Sequence, residues 1–256
     1  MKDLPRVLAA EILKLKRTNA LRVVFIAPLA VTTLVTFLVA NMSSMLLNQR
    51  AELWLSLSRM MLIFWAILML PLYVTLETSL VAAVDHIDNH WKVLLTRPVP
   101  RWTFYAVKLF VVVIMTIASM VILVGGIAAA GLILPKLQPD LRFAPLIPIT
   151  QIAGKAAQVF GLAFLLVAIQ HWVSLRWRSF TVAVGVGIVG MVIGYGMLFT
   201  ARGGSPGFAL YCPWSFPMMA LVNPPANVTP LIWISATLGV ALSALGCWEF
   251  SRRDVE

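Results

Sequence analysis

The chain has 256 residues, of which 61% are hydrophobic and 12% charged, and its formal net charge is +10. Ordinary soluble domains are nearer half apolar and a quarter charged, so that class is excluded. A soluble chain this basic would point to nucleic acid, but here Lys and Arg gather at the borders of apolar runs, where they report membrane topology instead.

In chain order, residues 2–17 form an amphipathic segment. Leu4, Val7, Leu8, Ile12 and Leu15 make one helical stripe, with Lys2, Arg6, Lys16 and Arg17 on the other side. The pattern predicts an interfacial helix held by apolar burial and by anionic lipid headgroups. Glu11 falls near the middle of the stripe, three residues before Lys14, a spacing that permits an ion pair within the helix. No Ala-x-Ala-like cleavage site follows, so the first apolar run reads as a retained helix and not as a signal peptide.

Six apolar runs are long enough to span a bilayer as helices, over about 21–41, 60–83, 104–134, 152–175, 179–200 and 230–249. The fold class is therefore all-α, a polytopic membrane protein read as one transmembrane domain over 1–256. The third run is long, and a tilt or break is expected near Gly125-Gly126. With both termini placed in the cytoplasm, fourteen of the twenty Lys and Arg fall inside and six outside. That asymmetry favours this orientation.

The stretch from Asp85 to Lys108, between spans two and three, is the most polar part of the chain. Ile87, Trp91, Leu94 and Leu95 share one helical face, and Asp85, Asp88, Asn89 and Lys92 the opposite one. Pro98 and Pro100 end the pattern. His86 and His90 are four apart, a weak spacing for a metal site with only His171 elsewhere; no metal is expected. The pattern predicts a short surface helix, either a solvated loop element or a docking face for a cytoplasmic partner.

Ionisable residues inside spans are functional candidates. Glu77 lies in the inner part of span two, Lys108 near the start of span three and His171 near the inner end of span four. Lys108 and His171 are within snorkelling reach of the interface. Glu77 needs a partner, and Lys108 at similar depth is the expected one. Glu77 is also the only carboxylate well inside a span, which argues against a proton path. Gly190 and Gly194 form a small-xxx-small face suited to close packing. Cys212 and Cys247 fall a membrane thickness apart and cannot bridge within the chain. Residues 202–228 hold Phe208, Tyr211, Trp214, Phe216 and several prolines. They are expected to fold against the outer face as short helices and turns.

Several of these stretches resemble one family. Asp85, His86, Asn89, Trp91, Lys92, Leu95, Pro98, Arg101, Tyr105 and Lys108 are similar to the segment after the second span of ABC-2 type transporter permeases. The similarity is nearest to the lantibiotic-immunity and bacitracin-resistance branch, with Asp85 where that pattern carries glutamate. Glu11 to Arg17 followed by Pro28 is similar to the family's N-terminal segment. Tyr211, Cys212, Pro213, Trp214, Ser215, Phe216 and Pro217 are similar to its outer loop before the last span.

The resemblance implies a permease paired with an identical or related permease, each docking a cytoplasmic ATPase of a dimer through the short coupling helix. ATP and Mg would be bound by the ATPase, with no cofactor in this chain. On that reading Asp85, His86, Asp88, Asn89, Trp91 and Lys92 belong to the docking helix, and Glu11 either pairs with Lys14 or contacts the ATPase or that helix. The sequence is consistent with this division of labour, since it has no Gly-x-x-x-x-Gly-Lys-Ser/Thr phosphate loop. The sparsely charged spans suit a lipid-like or amphipathic peptide cargo. Within the resembling branch the implied cargo is a membrane-active peptide or a lipid-linked antibiotic target. A secondary transporter and an intramembrane enzyme are the alternatives. Inverted repeats with polar interruptions would mark the first and hydrolase or metal motifs the second; neither is evident in the sequence.

Overall fold

The structure, a computed structural model, describes residues 4–15, 18–46, 53–87, 100–177, 179–200, 211–222 and 227–252. Among them all regular structure is helical: α1 Leu4–Leu15, α2 Ala20–Leu46, α3 Leu53–Phe64, a π-helical stretch Trp65–Met69, α4 Leu70–Ile87, α5 Arg101–Leu137, α6 Ile149–Arg176, α7 Phe180–Thr200, α8 Phe216–Val222 and α9 Thr229–Arg252. Six segments are long and apolar enough to cross a membrane, with α3 to α4 counting as one. The end of the bundle carrying α1 and the last turn of α9 is called basal below, and the other distal.

Every spanning helix except α7 overshoots its apolar run because polar and aromatic residues at the borders continue the helical turn. The second is the extreme case: its helix begins at Leu53, seven residues before the apolar run. Leu53, Trp54, Leu57 and Ser58 are buried there. Trp54 lies under Gly131 of α5, packs edge-on against Phe143 with ring centroids 4.9 Å apart, and donates Nε1–H to the Ala144 carbonyl at 2.9 Å. That anchor fixes the distal start of α3.

The same span widens for one turn just before Pro71, where the Leu70 N–H reaches back five residues to the Trp65 carbonyl. Proline has no N–H to give and its ring collides with the carbonyl four residues earlier. A π-helical turn relieves both conflicts without breaking the span.

The third span does not break at Gly125-Gly126; α5 is continuous from Arg101 to Leu137. Gly126 instead receives Thr32 of α2 against its backbone. Thr32 directs its own hydroxyl to the Pro28 carbonyl one turn earlier at 2.9 Å, so the hydroxyl that faces the glycine is satisfied within its own helix.

The α3–α4 span, α5 and α6 form the centre. They have 56%, 50% and 50% of their spans buried, against 22% for α7 and α9, so the last two present most of their surface to lipid or to another chain. α2 packs along α5, α9 along α6, and α7 against α4. The α6–α9 seam is fixed by Ser235, buried between them, which accepts from the Leu165 N–H at 3.1 Å and donates to the Leu162 carbonyl at 3.0 Å.

Candidate functional site

At the basal end α1 docks on α5. Its buried stripe is Val7, Glu11 and Leu15, with Leu8 partly covered. Ile12, expected in that stripe, is exposed together with Leu13. The stripe is rotated from the purely apolar expectation because a carboxylate, not an isoleucine, meets the bundle.

Glu11 is 4% exposed and Lys108 is fully buried. The Lys108 Nζ donates to Glu11 Oε2 at 2.7 Å, and the Lys14 Nζ to Glu11 Oε1 at 2.7 Å. The Lys108 Nζ also reaches the Val81 carbonyl of α4 at 3.4 Å. One lysine thus joins α1, α4 and α5 in a low-dielectric interior, where a charge requires a close partner. Glu11 does pair with Lys14, as its spacing allows, and with Lys108 as well.

This overturns the expected Glu77–Lys108 pair. Lys108 lies level with Val81, one helical turn basal of Glu77, and Glu11 holds its ammonium group. Neither Lys108 nor His171 snorkels. His171 is 1% exposed, with Nε2 3.2 Å from the Tyr105 carbonyl and its ring edge-on to Tyr105 at 4.7 Å. A turn before Lys108 on α5, Tyr105 also lies against Gly246 of α9. Lys108 and Tyr105 between them therefore gather α1, α4, α6 and α9 around the first turns of α5.

Glu77 is fully buried, and among the described residues neither of its oxygens has a hydrogen-bond partner. Tyr73, one turn earlier on the same face, lies beside it and beside Thr116 and Ser119 of α5. Those two hydroxyls are engaged by carbonyls of their own helix, at Val112 and Thr116. On the other side of α4, Thr78 accepts from the Ser174 hydroxyl of α6 at 3.1 Å. A polar seam therefore runs down α4 between apolar layers.

Sequence reasoning missed a second basal contact. Glu249 of α9 accepts from Trp172 Nε1 at 2.8 Å and Arg176 Nε at 2.9 Å, both on α6. The signal available was the position of Arg176 and Glu249 in the last turns of two apolar runs.

Of the other predicted residues, Asp85 and His86 lie in the last turn of α4, and their side chains are outside the described set. Asp88, Asn89, Trp91 and Lys92 of the expected coupling helix, and Lys16 and Arg17 of the N-terminal segment, also lie outside the described residues. At the distal end Tyr211 is exposed, while Cys212, Ser215 and Phe216 are buried. Residues 211–222 form a turn and the short helix α8, with the Ser215 hydroxyl donating to the Cys212 carbonyl at 2.7 Å. Trp214 follows Pro213 and lies against Gly190 and Gly194 of α7; a Cβ on Gly194 would stand 2.9 Å from the Trp214 Cβ. The close approach those glycines permit is to this turn and not to another spanning helix. The described part of the outer loop is thus folded onto the bundle, as expected. Among the described residues no three His, Cys, Asp or Glu side chains converge as metal ligands.

The family model of ABC-2 family transporter proteins matches residues 7–194. The chain belongs to that family. The match runs from the buried stripe of α1 through the glycine face of α7, and so takes in Glu11, Glu77, Lys108 and His171. A search of curated proteins found no match. The chain is accordingly the membrane permease component of an ABC transporter, a multi-pass membrane protein of, in bacteria, the inner membrane. As a transport component it is not itself catalytic, and the family in general works with an ATPase partner.

Proposed function

We propose that this chain is the permease half of an exporter that moves an amphipathic or lipid-like substrate, such as a peptide antibiotic, out of the membrane or cytoplasm. The work is done by a separate cytoplasmic ATPase dimer, which binds ATP and Mg. A second permease, identical or related, completes the pathway. The basal end faces the cytoplasm, and residues Asp85 to Leu95 dock the ATPase with the face that carries Asp85, Asp88, Asn89 and Lys92.

The observation that carries this reading is the position of Lys108. It ties α1, α4 and α5 together at the base of the two helices that flank the docking segment. A displacement of that segment pulls on the ends of α4 and α5, and the buried ion pair passes it to α1. The sparsely charged exposed faces of α7 and α9 suit a path along lipid or between two permeases.

Charge reversal at Asp85 and Asp88 is the test. Pull-down of the ATPase and ATP-driven transport should both fall while membrane insertion stays normal. Unchanged pull-down together with unchanged transport would sink the reading.

A further inference from the structure

We propose that the distal cleft between α3, α6 and α8 binds the phosphate of an anionic phospholipid headgroup, held by Arg59 and Lys155. The inference goes beyond the ATPase-driven reading and rests on the cleft alone.

The cleft encloses about 500 Å³ and combines two kinds of wall. Leu62 and Leu221 are apolar, whereas Arg59, Lys155, Gln151 and Gln158 are polar or charged. Among the described residues no carboxylate lines it. Arg59 forms no ion pair with any described residue, and Lys155 only donates to the Gln158 amide oxygen at 3.3 Å. Two cations from different helices thus converge on one space with their charges unneutralised. Arg supplies a planar fork suited to phosphate oxygens and Lys a point charge.

Depth selects a lipid as the source of the phosphate. Lys155 is six residues into the 28-residue α6, and Arg59 six residues into α3. At 1.5 Å per residue each stands about 9 Å from the distal start of its helix. The 28-residue α6 exceeds the roughly 30 Å hydrocarbon layer by about 6 Å at each end, and the 32-residue span that begins with α3 by about 9 Å. Both cations therefore sit at the border of the hydrocarbon, where lipid phosphates are within side-chain reach. Leu62 and Leu221 would line the path of an acyl chain. Space is available as well: a Cβ on Gly154 meets nothing within 4 Å.

The test uses the full chain purified in detergent with phosphatidylglycerol or with phosphatidylcholine of the same chains, and counts retained lipid by native mass spectrometry. Preferential retention of one phosphatidylglycerol per chain is expected. Each of Arg59→Gln and Lys155→Gln should lower its affinity about tenfold, as loss of one charge-assisted hydrogen bond does. Gly154→Leu should lower retention by filling the cleft with no change of charge. Lys136→Gln with Arg142→Gln, distal cations outside the cleft, should leave retention unchanged. Equal retention of phosphatidylcholine, or full retention by the Arg59→Gln/Lys155→Gln double variant, overturns the proposal. So does displacement of the lipid by millimolar inorganic phosphate, which would make this a free-anion site.

Discussion

At the basal end α1, α4 and α5 meet on a buried lysine and carboxylate, while at the distal end α5 and α7 receive tryptophan rings against their glycines. The two contacts respond differently to strain. A charged hydrogen bond at 2.7 Å weakens steeply when its groups move apart, yet the attraction behind it reaches further and can re-form the contact. A ring pressed on a glycine backbone has no such reach; it either fits or is displaced. The basal end is built to be pulled and to return, and the distal end to stay shut.

The comparison breaks first at Glu11. Glu11→Gln should destabilise the detergent-solubilised protein by about 3 kcal/mol, because it removes a carboxylate held at 2.7 Å by the buried Lys108. Chemical denaturation would measure this. The double variant Glu11→Leu/Lys108→Met should recover most of the loss, since an apolar pair of similar size carries no desolvation cost. If the double variant is no more stable than Glu11→Gln, the ion pair is not what joins α1 to α5.

The spans were legible in the sequence because about twenty apolar residues in a row have few other uses. The pair at Lys108 was not. Matching Glu77 to Lys108 by distance along the chain ignores a single helical turn of offset, and one turn decides which carboxylate is within reach. The true partner sits on α1, whose docking depends on tertiary packing that no local pattern reports. The start of α3 was hidden for a related reason. Ser56, Ser58 and Arg59 lower the local hydropathy, although Trp54 and Leu57 are buried. At Gly190 and Gly194 the spacing announced a close approach but could not say that Trp214 makes it.

The distal end is tested by Trp214→Ala. Removing a half-buried ring that covers two glycines should cost about 2 kcal/mol, below the value for a fully buried tryptophan. The loss should not change with salt, and residues 211–222 should become open to added protease in vesicles with the distal face outward. A salt-dependent loss would place charge, not packing, at this end.

The smallest effect is expected at Arg176. Its contact with Glu249 is over one third exposed on both sides, so Arg176→Gln should cost less than about 1 kcal/mol. That loss should shrink further above 0.5 M salt, where screening is nearly complete. An effect as large as that of Glu11→Gln would show that the basal end depends on α6 and α9 as much as on α1.

The widened turn at Trp65–Met69 also acts as a phase shifter. Each residue of an α-helix advances the side chains by roughly 100°, so the extra residue held in that turn sets which way every later side chain of α4 points. Straightening it into plain α-helix with no residue removed would leave the distal anchor at Trp54 in place and turn the basal half of the span by about a quarter revolution. Glu77 and Tyr73 would leave the α5 side together, and the Val81 carbonyl would move away from Lys108. The proline that forces the wide turn thus governs, from the middle of the membrane, which residues reach the charge cluster at its edge.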